Sequence, residues 1–144
     1  HWAGAAQWQR AGEAYAAAAR RAHGASQRTH EVECWQLAAD AFEKAAAPEQ
    51  AFEARCESIH SMIVVHGVTH ANGVIESLLQ TATSDHQRAA ALTAKATAAL
   101  MAADHQAGIA AAVQAFELTR RFESPWPGFQ AARLHAVGLA RAGR

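Results

Sequence analysis

Aromatic side chains make up only 7% of this sequence, and valine, isoleucine and threonine are sparse outside positions 59–83. Sheets draw their strands from those residue types, so composition argues against a β architecture. An excess of one charge is missing too. Thirteen basic residues stand against thirteen acidic ones, and no basic stripe runs along the chain. Direct nucleic-acid binding is therefore not expected. The nine histidines add positive charge only below about pH 6.5. Long apolar runs are also lacking. The longest stretch of large aliphatic side chains is 62–65, far short of the ~20 residues of a membrane span. No signal peptide is recognisable, and the cytoplasm is the expected compartment. Only two cysteines occur, Cys34 and Cys56, in separate helical patterns. Buried reduced thiols are expected there, not a disulfide framework.

What fills the chain is alanine, more than a quarter of its residues. Alanine loses no side-chain entropy in a helix and has the highest helix propensity. Glycine, proline and polar breaks divide the sequence into seven expected helical segments. The first covers about 8–23 and ends at Gly24-Ala25-Ser26. The second covers about 29–46, with Val32, Trp35, Ala39, Phe42 and Ala46 stepping by three and four along one face. Pro48 opens the third, whose stripe is Phe52, Cys56, Ile59 and Ile63, and Gly67 closes it. The fourth, about 70–83, carries Val74, Ile75, Leu78 and Leu79. Ser84 or Asp85 caps the fifth, with Leu92, Ala96, Ala99 and Ala103. The sixth starts near Asp104 and carries Ile109, Val113 and Phe116. A loop at 124–128 precedes the seventh, about 129–142. Short connections make successive helices antiparallel neighbours.

The spacing Trp35-x3-Ala39-x2-Phe42-x8-Ala51 recurs as Leu92-x3-Ala96-x2-Ala99-x8-Gly108. Part of it returns in Ala132-x3-Ala136-x2-Leu139, and Trp8-x2-Ala11-x3-Tyr15-x2-Ala18 reads as the second helix of an earlier copy. This pattern resembles the tetratricopeptide repeat. The resemblance implies an all-α, right-handed superhelical array in which small residues let paired helices touch and large ones fill the seams. The offset from Trp35 to Leu92 is not one repeat length, and the segment around 70–83 is the irregular insert. The chain starts at His1 inside a helical pattern and ends just after Gly143. It therefore reads as one helical-repeat domain, 1–144, cut from a longer protein.

The opening His1-Trp2-Ala3-Gly4-Ala5, with Ala11-Gly12-Glu13-Ala14-Tyr15 and Ala17-Ala18-Ala19-Arg20-Arg21-Ala22, is similar to the helical region of large bacterial ATP-binding regulators of LuxR and SARP type. That resemblance implies a signalling or transcriptional regulator. Its helices would serve protein–protein or intramolecular contacts, with the ATP-binding domain of the parent chain as one partner.

No phosphate-binding or nucleophile-elbow motif occurs, and no enzymatic activity or cofactor is expected. Cys56 and His60, one helical turn apart, with His66 and His70 nearby, are the best metal candidates. No second such pair accompanies them, so no bound metal is expected. Glu33, Gln36, Asp40 and Glu43 form a polar row on the second segment. The repeat resemblance turns this row toward a concave groove and gives Thr93, Thr97 and Arg133 matching places. A protein or peptide partner in that groove is the leading expectation, and a small-molecule effector sensor is the alternative. Trp35 and Phe42 are expected in the core opposite Ala51. Trp2, Trp8 and Trp126 are expected to pack between helices.

Overall fold

The computed structural model describes residues 2–120, with side chains from residue 4 onward. The expected loop at 124–128, the helix at 129–142, Trp2, Trp126 and Arg133 lie outside these described residues and side chains. Seven helices and no strand occur among them: α1 (Trp2–Gly24), α2 (Arg28–Lys44), α3 (Pro48–Glu57), α4 (Ile59–His66), α5 (Val68–Thr81), α6 (Asp85–Met101) and α7 (His105–Thr119). The chain divides into two compact units, His1–Gly67 and Val68–Arg144.

Three of the helix-to-helix connections are the same turn. At Ser26, Ala46 and Ala103 the backbone adopts positive φ, 60°, 55° and 62°. In each case the next amide reaches back five residues: Gln27 to the Ala22 carbonyl, Ala47 to Phe42, and Asp104 to Ala99, all at 2.8 Å. This is the Schellman arrangement, which satisfies carbonyls that a helix end leaves open. None of the three residues is glycine. Gly24, expected to stop α1, is its last helical residue, and Ser26 makes the turn.

In the first unit α2 is central and packs against α1, α3 and α4. Its buried side is Glu31, Val32, Cys34, Trp35, Ala38, Ala39, Ala41 and Phe42. Trp35, Phe42 and Ala51 share one core with Ala16 and Ala19 of α1. The two aromatics are therefore buried as expected, with α1 as a further wall. The segment expected as one helix to Gly67 is divided at Ser58. There the hydroxyl donates to the Arg55 carbonyl at 2.7 Å, a local bond that competes with the helical one and bends the chain. Backbone bonds still run across the break, from Ser58 to Ala54 and from Met62 to Ser58. Beyond Ser58, Ile59 and Met62 are buried and Ile63 is half-buried. Gly67, at φ 93°, ends α4.

In the second unit Ser84 caps α6, its hydroxyl accepting from the Gln87 amide at 3.1 Å. The Gln87 side chain accepts in turn from the Thr83 amide at 2.8 Å, a reciprocal arrangement related to the capping box. Asp104 caps α7 through the Ala107 amide. Small residues carry much of the contact between α6 and α7: Ala96, Ala111 and Ala112 form a buried cluster, and the buried Leu100 packs on Gly108. Of the larger stripe expected on this helix, Ile109 and Val113 are half-buried and Phe116 is exposed. The alanine face lets the helices approach, and Val113 borders a groove beside Leu92 of α6.

Candidate interaction surface

On α2 a step of three or four residues returns to nearly the same side of the helix. Glu33, Gln36, Asp40 and Glu43 follow such steps, and all four are exposed. They stand opposite the side that Trp35 and Phe42 bury. Glu43 at the end of the row pairs with Arg55 of α3 at 2.9 Å, which leaves Glu33 and Asp40 as the principal negative groups of the face. Leu37, between them, is 47% exposed. On the α1 side, Lys44 Nζ lies 4.3 Å from the ring centroid of Trp8. This cation–π contact covers part of a tryptophan that sequence placed between helices.

Thr93 and Thr97 belong to α6 in the second unit. Both are half-buried, and their hydroxyls donate to carbonyls of their own helix, Thr93 to Ala89 at 2.8 Å and Thr97 to Thr93 at 3.1 Å. The structure thus gathers the four α2 residues on one face of the first unit. In the second unit an open groove is lined by Leu92, Val113, Gln114, Glu117, Leu118 and Arg120. Its charged groups, Glu117 and Arg120, pair with each other at 3.1 Å.

Sequence reasoning missed the polar network at the opposite end of α2. Glu31 is only 3% exposed. Its carboxylate accepts from Ser61 Oγ at 2.6 Å, Arg28 Nη1 at 3.3 Å and Trp35 Nε1 at 3.3 Å. His23 Nδ1 lies 3.0 Å from the same carboxylate and 2.6 Å from Arg28 Nη1. With a proton on Nδ1 the imidazole donates to Glu31; without one, it accepts from the guanidinium. Burial alone would raise the Glu31 pKa, but the bonds from Ser61, His23 and Trp35 outweigh it and hold the carboxyl below its ordinary value. At the neighbouring Glu57 burial outweighs the opposing charges of Arg20 and His23 and pushes the carboxyl up. The network ties α1, α2 and α4 together. Ser61 is wholly buried, and its hydroxyl is a tie between helices. The one signal in the sequence is the spacing of Arg28, Glu31 and Trp35 by three and four. The partners on α1 and α4 leave no local mark.

Cys56 is buried, which pushes its thiol up. His60 follows across the Ser58 bend and packs edge-on against His23, centroids 6.0 Å apart. Among the described residues no three His, Cys, Asp or Glu side chains converge as metal ligands would. A Cys–His contact forms on α2, between His30 Nε2 and Cys34 Sγ at 3.6 Å. Burial and Glu33 push the Cys34 thiol up, away from the thiolate that metal binding or nucleophilic attack requires. Among the described residues no helix is long and apolar enough to cross a membrane. No family model, curated protein or solved structure matches this chain.

Proposed function

We propose that this chain is a tetratricopeptide-like, right-handed helical-repeat module. In this reading it belongs to a bacterial signalling or transcriptional regulator and has no catalytic activity of its own. It offers the acidic face of α2 to a basic segment of a partner protein, or to the ATP-binding domain of its own parent chain. It needs no cofactor and touches neither nucleic acid nor membrane. The observation that carries the reading is the row Glu33, Gln36 and Asp40, exposed on the helix whose other side supplies the core of its unit. A helix needs only one face for folding, and here the spare face carries like charges with Leu37 between them. The three near-identical Schellman turns support a stacked-hairpin build, because a fixed connector repeats a fixed hairpin geometry.

Complementary charge acts mainly on encounter rate and specificity. Exposed charges are screened beyond about 8 Å at physiological ionic strength, so binding weakens as salt rises. The test changes Glu33, Asp40 and Glu43 to alanine together and measures affinity for the remainder of the parent chain by calorimetry at low and moderate salt. The reading requires weaker binding and a shallower salt dependence. Unchanged affinity and salt slope, with helicity intact by circular dichroism, would reduce this face to solvated surface.

A further inference from the structure

Among the described residues six large apolar side chains are exposed, and three of them, Trp8, Tyr15 and Leu37, lie on α1 and α2. Their register follows from contacts along the same hairpin. Lys44 covers Trp8 at one end and His23 meets Glu31 at the other, so the two helices run antiparallel. Tyr15 lies seven residues beyond Trp8, and Leu37 seven before Lys44. Seven residues are two helical turns, which sets Tyr15 and Leu37 at the same level of the seam. Ala11 and Ala18, both half-buried, continue the α1 side of it. Glu33 and Asp40 flank Leu37 at i−4 and i+3, the spacings that share a helix face. Cations stand at both ends: Lys44 over Trp8, and Arg21, whose charge acts on Cys34.

Single exposed apolar residues are ordinary, but several at helical spacing along one seam form a strip that an apolar helix face can cover. We infer that the α1–α2 seam docks an amphipathic segment of a protein partner whose apolar side chains cover Tyr15 and Leu37 and whose central lysines or arginines meet Glu33 and Asp40. This rests on the interaction reading above and names the partner class. The bounding cations add a selection rule. A segment basic throughout meets Lys44 and Arg21, whereas one with its basic residues at the centre does not.

The test uses two synthetic peptides of equal charge. One is a helix with leucines at i, i+4 and i+7 and lysines at its centre; the other has serines in place of the leucines. Affinities are measured by calorimetry on the intact chain. The leucine peptide is expected to bind about tenfold more tightly or better, and Leu37→Gln should remove that advantage. Leu37→Lys, which adds repulsion at the same exposed position, should do so more strongly. Glu33→Gln with Asp40→Asn should weaken both peptides and flatten their salt dependence. Equal affinities that ignore both Leu37 variants, while the carboxylate variants still weaken binding, would overturn the seam and leave the acidic-face reading standing. Absence of binding by either peptide overturns the seam as well.

Discussion

Gly12 of α1 and Phe42 of α2 are fitted to each other so closely that a Cβ on Gly12 would lie 2.6 Å from Cδ1 and 2.7 Å from Cε1 of the ring. The ring is 4% exposed and shares its core with Trp35 and Ala51, so it has no free space to retreat into. Gly12→Ala gains about 1 kcal/mol of helix propensity and meets an overpacking cost of about 1–3 kcal/mol. Net destabilisation is expected in urea denaturation. Phe42→Leu in the same chain should recover part of the loss, giving a favourable coupling energy in the double-mutant cycle. A Gly12→Ala chain as stable as the parent would contradict this fit.

Removing the aromatics themselves has a larger effect. Trp35→Ala and Phe42→Ala each leave a cavity beside alanines that are too short to fill it. Each should cost about 3–5 kcal/mol. A change under about 1 kcal/mol in chemical denaturation would deny either residue its place in the core.

The three turns make a prediction of opposite sign. Ala46 and Ala103 hold left-handed backbone at φ 55° and 62°, a conformation that costs a residue with a Cβ about 1–2 kcal/mol. Glycine relieves that strain and gives part of it back as unfolded-chain entropy. Ala46→Gly and Ala103→Gly should therefore each stabilise by about 0.5–1 kcal/mol. Ala38→Gly, in the middle of α2, is the control and should destabilise.

The buried carboxylate sets a pH dependence. Glu31 is held below its ordinary value in the folded chain. A depressed carboxyl contributes stability above its unfolded pKa, and that stability is lost as pH falls through the folded one. Glu57 is displaced upward and opposes this, because its proton is taken up first by the folded state. The stability of the parent chain relative to Glu31→Gln should shrink as pH drops below the ordinary carboxylate range. Relative to Glu57→Gln it should rise as pH falls from neutral toward that range. Ser61→Ala, which deletes a 2.6 Å bond to a charged acceptor, should cost about 1.5–3 kcal/mol near neutral pH. A difference between parent and Glu31→Gln that stays flat through the acid range would remove the role given to this network.

The helices themselves were legible because alanine content and three-four spacing are local signals. Val32, Trp35, Ala39 and Phe42 announce a buried side, and the row Glu33, Gln36, Asp40 and Glu43 announces its complement. A cap at Ser84 or Asp85 was legible from side-chain chemistry, and the structure selects Ser84. The bend at Ser58 was not legible, since it depends on whether a serine hydroxyl wins a carbonyl from the helix. Ser26, Ala46 and Ala103 were equally hidden, because residues with a Cβ give no advance sign of left-handed backbone. On α7 the contact with α6 uses Ala111 and Ala112 more than the larger Ile109, Val113 and Phe116 that the sequence singled out. Close helix approach selects the small face, and Ala111, Ala112 and Ala115 are buried there. The Glu31 network brings α1, α2 and α4 into one cluster, and only the fold reveals that meeting.

The alanine contact faces have a thermodynamic consequence. The change in heat capacity on unfolding comes from apolar surface newly exposed to water, less a contribution from polar surface. Helices that meet through Ala96, Ala111 and Ala112 bring much backbone together while hiding little apolar area per residue. The α6–α7 contact should therefore add less to the heat-capacity increment of unfolding than the ~12–15 cal/mol/K per residue usual for globular chains, and correspondingly little to the sensitivity to urea.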